Sequence, residues 1–461
     1  MAVIGPAADT VSYGDYTETR GRKGGVSVLD GIRAAVSPET EVLYERGCNF
    51  LGQALHPFDP SMLRDENGES GLTGHYYNGP VPQGEPVQVR TDRTVNFNWI
   101  FALPHPALDA NCFSVVWTGS VVMPRTMDGC IGLSTQDSMR LYVDDKLLID
   151  GWGKDKSADQ ALDFHFEAGR AYKIRIEFVN DRRGARVIFG YSAGRENFPA
   201  AVEAARKADV AILCMGDNEE TSGENFDRTD LNLPGRQLEL VQAVYATGTP
   251  VVLVLQSGRP VTANWENDHL PAILEAWFPG EQGGTAIAKT LFGDAAPGGR
   301  LPITFPRSVG QIPCHYSRRP GGGKRYVEMD WLPLYPFGYG LTYTTFAYRD
   351  MALSRSVIDP QDTVTVSVTV TNTGKYTGDA VPQLYVRDMF SSVVKPERQL
   401  AAFRRLTLAP GESRRVELTV GPKQLRTLGP DYVWRVEPGK FELQLGDNAE
   451  NILLRADLTV E

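Results

Sequence analysis

Residues 222–228 read SGENFDR, which sets two carboxyl groups, Glu224 and Asp227, beside the guanidinium of Arg228. A carboxylic acid near a reacting oxygen can deliver a proton to it, and the resulting carboxylate can take one back from water. Such a group needs an ordered loop and a carboxyl that is not already engaged. Arg228 can hold Asp227 in a charge-assisted pair, Gly223 lets the backbone turn, and Glu224 is then the available acid. The same residues also suit a solvated surface loop. Spacing alone leaves both readings open.

The loop follows an apolar run, VAILCM at 210–215, that has the character of a buried strand. In open parallel sheets ligands sit beyond the carboxyl ends of the strands. SGRP at 257–260, after VVLVLQ, and FPGEQGG at 278–284, after AILEAW, are expected on the same rim. Helical spacing in AAVEAARKAD (200–209) and RQLELVQAVYA (236–246) alternates with these runs. The same alternation opens the chain: AVIG, then Val28, Leu29, Ile32, Ala35 and Val36 at helical spacing, then EVLY. Near-continuous apolar strands between helices predict a parallel sheet covered on both faces.

Between these halves the texture is all-β, with alternation in FSVVWTGSVVM and MRLYVDDKLLIDGW. A second all-β texture fills the tail, where Val364, Val366, Val368 and Val370 alternate with Thr and Ser. The predicted fold class is therefore α/β plus β. A parallel-sheet αβα sandwich over 1–70 and 200–345 is interrupted by a β-domain at 71–199, an insertion in a surface loop. A β-sandwich over 346–461 follows.

With 461 residues the chain is expected to hold two to four domains, and 42% hydrophobic with 23% charged residues are the proportions of a soluble globular protein. A net charge of -10 without a basic stripe argues against a nucleic-acid partner. Cys48, Cys112, Cys130, Cys214 and Cys314 form no C-x-x-C pair, so free thiols are expected and a reducing cytoplasm fits. The first residues lack the pattern of a signal peptide, and no apolar run approaches the ~20 residues of a membrane helix. No cofactor is implied.

SGENFDRTDLNLPGRQLELV resembles the second-domain motif of family 3 glycoside hydrolases of the β-glucosidase type. So do AVIGPAADT with GDY at the start, EAWFPGEQGGTAIAKTLFGDAAPGGRLPITFP at 275–306 and YPFGYGLTYTTFAY at 335–348. KPERQLAAFRRLTLAPGES at 395–413 looks like that family's fibronectin type III-like tail. The insert, with WTGSVVMP and MRLYVDDKLLIDGW, resembles a PA14 module. The resemblance implies that Glu224 is the general acid/base of a retaining β-glycosidase, supported by Asp227 and Arg228, acting on a β-linked glucoside or related glycoside. It also implies a nucleophilic aspartate on a (β/α)8 barrel, which needs roughly 250 residues and is not in this sequence. A separate barrel chain or a missing N-terminal domain is the expected partner, and an oligomer is possible. The alternative is a noncatalytic carbohydrate-binding or scaffold protein built from the same parts. By resemblance the insert borders the mouth of the active site and limits which aglycones fit.

Other residues invite function and are read more plainly. Asp330, before Trp331, is expected to be an ordinary surface residue rather than a nucleophile. Gln136 in STQDS stands where a calcium site would want another acid, so no metal is predicted. Asp144 and Asp145 read as a hairpin turn. Trp117 and Trp277 are expected in the core, with Trp152 undecided. His269 and His315 suggest no triad, and Gly321 to Gly323 form a turn.

Overall fold

The computed structural model describes the chain apart from residues 15, 18–23, 51–54, 100–102, 136, 154–159, 181–184, 194–197, 219–220 and 322–324. Gln136, Gly322 and Gly323 thus lie outside the described residues. The chain divides into two compact units, Met1–Glu45 with Glu203–Glu461, and Arg46–Val202.

In the first unit the five apolar runs form one parallel sheet. Its strand order is Ala272–Glu275, Val251–Gln256, Ala211–Gly216, Ala2–Ile4 and Leu43–Glu45. Every residue of the central strand Ala211–Gly216 is buried, as expected of a strand covered on both faces. Helix Val28–Ala35 is capped by Ser27, whose hydroxyl accepts from the Asp30 amide at 3.1 Å. It packs on helix Gly283–Leu291 at backbone contact. A Cβ on Gly31 would lie 2.1 Å from the Gly284 carbonyl oxygen, and one on Gly284 would lie 1.9 Å from that of Ser27.

The tail of this unit is a sandwich of two sheets. One holds Phe346–Leu353, Val364–Asn372 and Ser413–Val420. The other holds Val357–Ile358, Ile452–Val460, Gly439–Gly446, Gln383–Asp388 and Gln399–Phe403. Val364, Val366, Val368 and Val370 all point into its core, as their alternation predicts. Between sheet and tail, residues 301–345 hold little regular structure and are pinned to the tail by hydrogen bonds. Gln383 Nε2 donates to the Gly338 carbonyl at 3.0 Å and the Ala449 amide to that of Phe337 at 2.9 Å.

The second unit is a two-sheet antiparallel β structure around a single aromatic-rich core. Trp117 is fully buried there, and its indole nitrogen donates to Asp92 at 2.8 Å. Arg90 Nε meets the same carboxylate at 2.7 Å, so the buried charge is paired. Asp144 and Asp145 form the expected hairpin turn, with φ of 48° and 61°. The boundary at residue 70 needs correction. His56–Pro57 pairs with Arg186–Ala193 and Leu63–Arg64 with Phe113–Val122, so this stretch belongs to the all-β unit. Strands of two residues carry no detectable period, which is why the sequence reading set the boundary too late.

None of the five cysteines forms a disulfide; Cys48, Cys130 and Cys214 are buried, and Cys112 and Cys314 partly so. Among the described residues no helix is long and apolar enough to cross a membrane. The helix contact gives a direct test. Gly284→Ala should destabilise the first unit by about 1–3 kcal/mol through forced backbone separation, lowering its thermal unfolding midpoint. An unchanged midpoint would show that the two helices are not in backbone contact.

Candidate functional site

The central strand ends at Gly216, whose φ of 140° brings it against the next strand, where a Cβ would meet the Gln256 carbonyl oxygen at 1.9 Å. Gln237, fully buried on helix Gln237–Tyr245, fixes this end from the other side. Its Oε1 accepts from the Gly216 amide at 2.8 Å, and its Nε2 donates to the Gly216 carbonyl at 2.9 Å. The Asp217 amide then donates to the Gln256 carbonyl at 2.8 Å. The chain therefore enters the 221–228 loop from a fixed point.

Asp217 has almost no exposed surface, and two guanidiniums face its carboxyl. Arg228 Nη1 lies 3.2 Å from Oδ1 and Arg259 Nε 3.8 Å from Oδ2. Burial pushes this carboxyl above the ordinary aspartate range, opposed by the Thr221 hydroxyl and by both arginines. Facing two cations, it is the ionised acid that this geometry accommodates. Arg228 also donates to the Asn232 carbonyl at 2.8 Å. Arg259 donates to Ser222 Oγ at 3.2 Å and reaches the Phe226 carbonyl at 3.4 Å. One arginine thus grips each flank of the loop. Between them Asn225 adopts a left-handed φ of 65°, which asparagine tolerates, and Glu224 and Asp227 are exposed.

Arg228 is therefore not the partner of Asp227 that the sequence suggested. A buried acid at the strand end draws it inward more strongly than an exposed neighbour one residue away. The other expected segments do converge. A Cβ on Gly14 would lie 3.1 Å from the Phe278 ring, and one on Gly258 would lie 2.9 Å from the same ring and 2.8 Å from Ser222 Oγ. Trp277 departs from expectation. It lies beyond the strand Ala272–Glu275, half-buried, with φ of 51° and its ring edge-on to Phe305. Asp330 is exposed and accepts from the Leu332 amide at 3.0 Å, an ordinary turn contact. Trp152 stacks under Arg140, 4.7 Å from its ring centroid. Among the described residues no three His, Cys, Asp or Glu side chains lie together as a metal site would require.

Residues 1–343 match the glycosyl hydrolase family 3 C-terminal domain, and residues 380–449 match a fibronectin type III-like domain. The chain belongs to glycosyl hydrolase family 3. A β-xylosidase of Formosa agariphila is 45% identical over 302 residues, covering 63% of this chain and 42% of its own length. A β-glucosidase of Rhizobium radiobacter is 34% identical over 495 aligned residues, covering 100% of this chain and 59% of its own. The crystal structure of a β-glucosidase from Kluyveromyces marxianus superposes with a TM-score of 0.74 at 28% identity, again over 100% of this chain and 59% of that one. The chain thus spans well under two thirds of the length of these family 3 relatives.

Sequence reasoning missed Asp217, Gln237, Arg259 and Glu275. Asp217 lies two residues after a predicted strand and Arg259 three residues after the next one, so opposite charges at neighbouring strand ends were a usable signal. Glu275 closes the edge strand. Its Oε1 accepts from the Trp277 amide at 2.9 Å, while Oε2 is buried with no hydrogen-bond partner among the described residues. Burial pushes its carboxyl up to about 8; the Trp277 amide pulls it down, and the negative charge of Asp217 adds to the rise.

A group with a folded value near 8 against an ordinary 4.5 holds its proton more tightly in the folded protein. Its stabilising contribution is complete below about pH 4.5 and is lost as pH rises toward about 8, by at most ~1.4 kcal/mol per unit. Glu275→Gln mimics the protonated acid, so its stability relative to the parent should rise between about pH 5 and about pH 8 in denaturant unfolding. A pH-independent difference would show that Glu275 titrates normally.

Proposed function

We propose that this chain supplies the general acid/base of a retaining β-glycosidase, with Glu224 in that role. The observation that supports it is an exposed glutamate on a loop at the carboxyl end of the central strand, gripped on both flanks by arginines anchored on one buried acid. Such a loop places a carboxyl at the rim where an open parallel sheet binds its ligands. The nucleophile would come from a (β/α)8 barrel, carried by another chain or by a further part of the same polypeptide. In this reading the barrel's carboxylate attacks the anomeric carbon while Glu224 gives its proton to the glycosidic oxygen. The C–O bond breaks and the aglycone leaves with that proton. Glu224, now a carboxylate, removes a proton from water, whose oxygen attacks the same carbon and releases the nucleophile.

The substrate class is a β-glucoside or related β-glycoside such as a β-xyloside, following the activities named for the relatives. Asp227 contributes a second exposed acid beside Glu224, and Arg228 supports the loop through Asp217. The unit Arg46–Val202 is read as a PA14 module, from its two antiparallel sheets and the motifs in its sequence.

The test fuses the barrel of a full-length family relative ahead of Met1 and assays phenyl β-D-glucoside and phenyl β-D-xyloside. The fusion should turn over at least one, and Glu224→Gln should lower kcat/KM by about 10²–10⁴. An active fusion in which Glu224→Gln costs nothing would remove Glu224 from the role. A folded but inactive fusion that binds methyl glycosides in a way that Glu224→Gln weakens would favour a noncatalytic carbohydrate-binding protein.

A further inference from the structure

A pocket of about 100 Å³ opens in the first unit where the irregular 301–345 segment meets the fibronectin-like tail. It shares no residue with the Glu224 loop. That is space for several waters. That suits one small ring-shaped molecule and not an extended chain.

Its lining charges, Arg318 and Glu450, and those of their partners Glu397 and Arg398 cancel. Arg318 bonds Glu450 at 2.6 Å and Glu397 at 3.2 Å, and Arg398 lies 3.7 Å from the second oxygen of Glu450. Two cations and two anions leave no net charge to hold an ion. The same Arg318 guanidinium lies over Trp331, 4.6 Å from its ring centroid, and so fixes the indole while 41% of the residue stays exposed. Tyr326, held by its hydroxyl donating to the Gly310 carbonyl at 2.9 Å, adds a second ring to the wall.

Three polar groups of the pocket are uncommitted. The Thr304 hydroxyl, the His315 imidazole and the Trp331 indole N–H make no hydrogen bond to the described residues. A fixed aromatic face, balanced charge and a few unpaired donors and acceptors match a ligand with apolar C–H faces and hydroxyls around its edge. We propose that this pocket binds one neutral pyranose ring, stacked on the Trp331 and Tyr326 wall with its hydroxyls meeting Thr304 and His315. It gives the chain a sugar-binding site that does not depend on Glu224.

The test titrates the 461-residue chain with methyl β-D-glucopyranoside and methyl β-D-xylopyranoside, by calorimetry and by ligand-observed saturation-transfer NMR. Phenol serves as a purely aromatic comparison. At least one glycoside should bind with a dissociation constant on the order of 1 mM, as befits so small a ligand. Trp331→Ala should weaken it about tenfold or more. His315→Ala, at an exposed residue that makes no hydrogen bond to the described residues, should weaken it several-fold without disturbing the fold. Glu224→Gln should leave it unchanged. The proposal is overturned if neither glycoside binds, if phenol binds and the glycosides do not, if the His315 variant binds like the parent, or if Glu224→Gln abolishes binding.

Discussion

A single buried carboxylate, Asp217, holds the architecture of the rim together. A charge withdrawn from water is tolerated only when it is paired, and removing one partner of such a set typically costs about 3–5 kcal/mol. Asp217 meets this condition through two arginines that approach from different loops, Arg228 from its own and Arg259 from the loop after the neighbouring strand. Each arginine also donates to the 221–232 segment, Arg228 to the Asn232 carbonyl and Arg259 to Ser222 Oγ and the Phe226 carbonyl. The electrostatic need of one acid therefore becomes the mechanical support of the loop carrying Glu224.

That support works because the sheet end is itself held from both sides. Gly216 can sit against Gln256 only without a side chain, and the buried amide of Gln237 satisfies both backbone groups of Gly216. A fully buried strand has no water to complete its hydrogen bonds, so a side-chain amide at its terminus both satisfies and orients it. On the same rim Glu275 holds the Trp277 amide while keeping its own second oxygen buried. The rim thus concentrates desolvated carboxyls where an open parallel sheet places its ligands.

Much of this was legible in the sequence, and the reasons differ by element. The four valines at 364–370 report a half-buried strand because side chains alternate strictly along it. The parallel sheet was legible because its strands are buried on both faces. The SGENFDR loop was legible as a motif, and its place after a strand followed from topology. Less visible were interactions set by three-dimensional proximity. Arg228 pairs with an acid eleven positions earlier, 228 against 217, and not with its sequence neighbour Asp227. Trp277 ends an apolar run that continues past its strand, so composition suggested core where the backbone turns left-handed instead. His56–Pro57 and Leu63–Arg64 are too short for periodicity to register.

The most direct measurement is the separation between the Glu224 carboxyl and the nucleophilic carboxylate of a docked barrel, in a crystal structure of the active fusion. A double-displacement reaction with Glu224 as proton donor predicts about 5–5.5 Å across the scissile bond. A separation of about 6.5–9.5 Å would mark single displacement by water instead. A Glu224 side chain directed away from the sugar would contradict its role as the acid altogether.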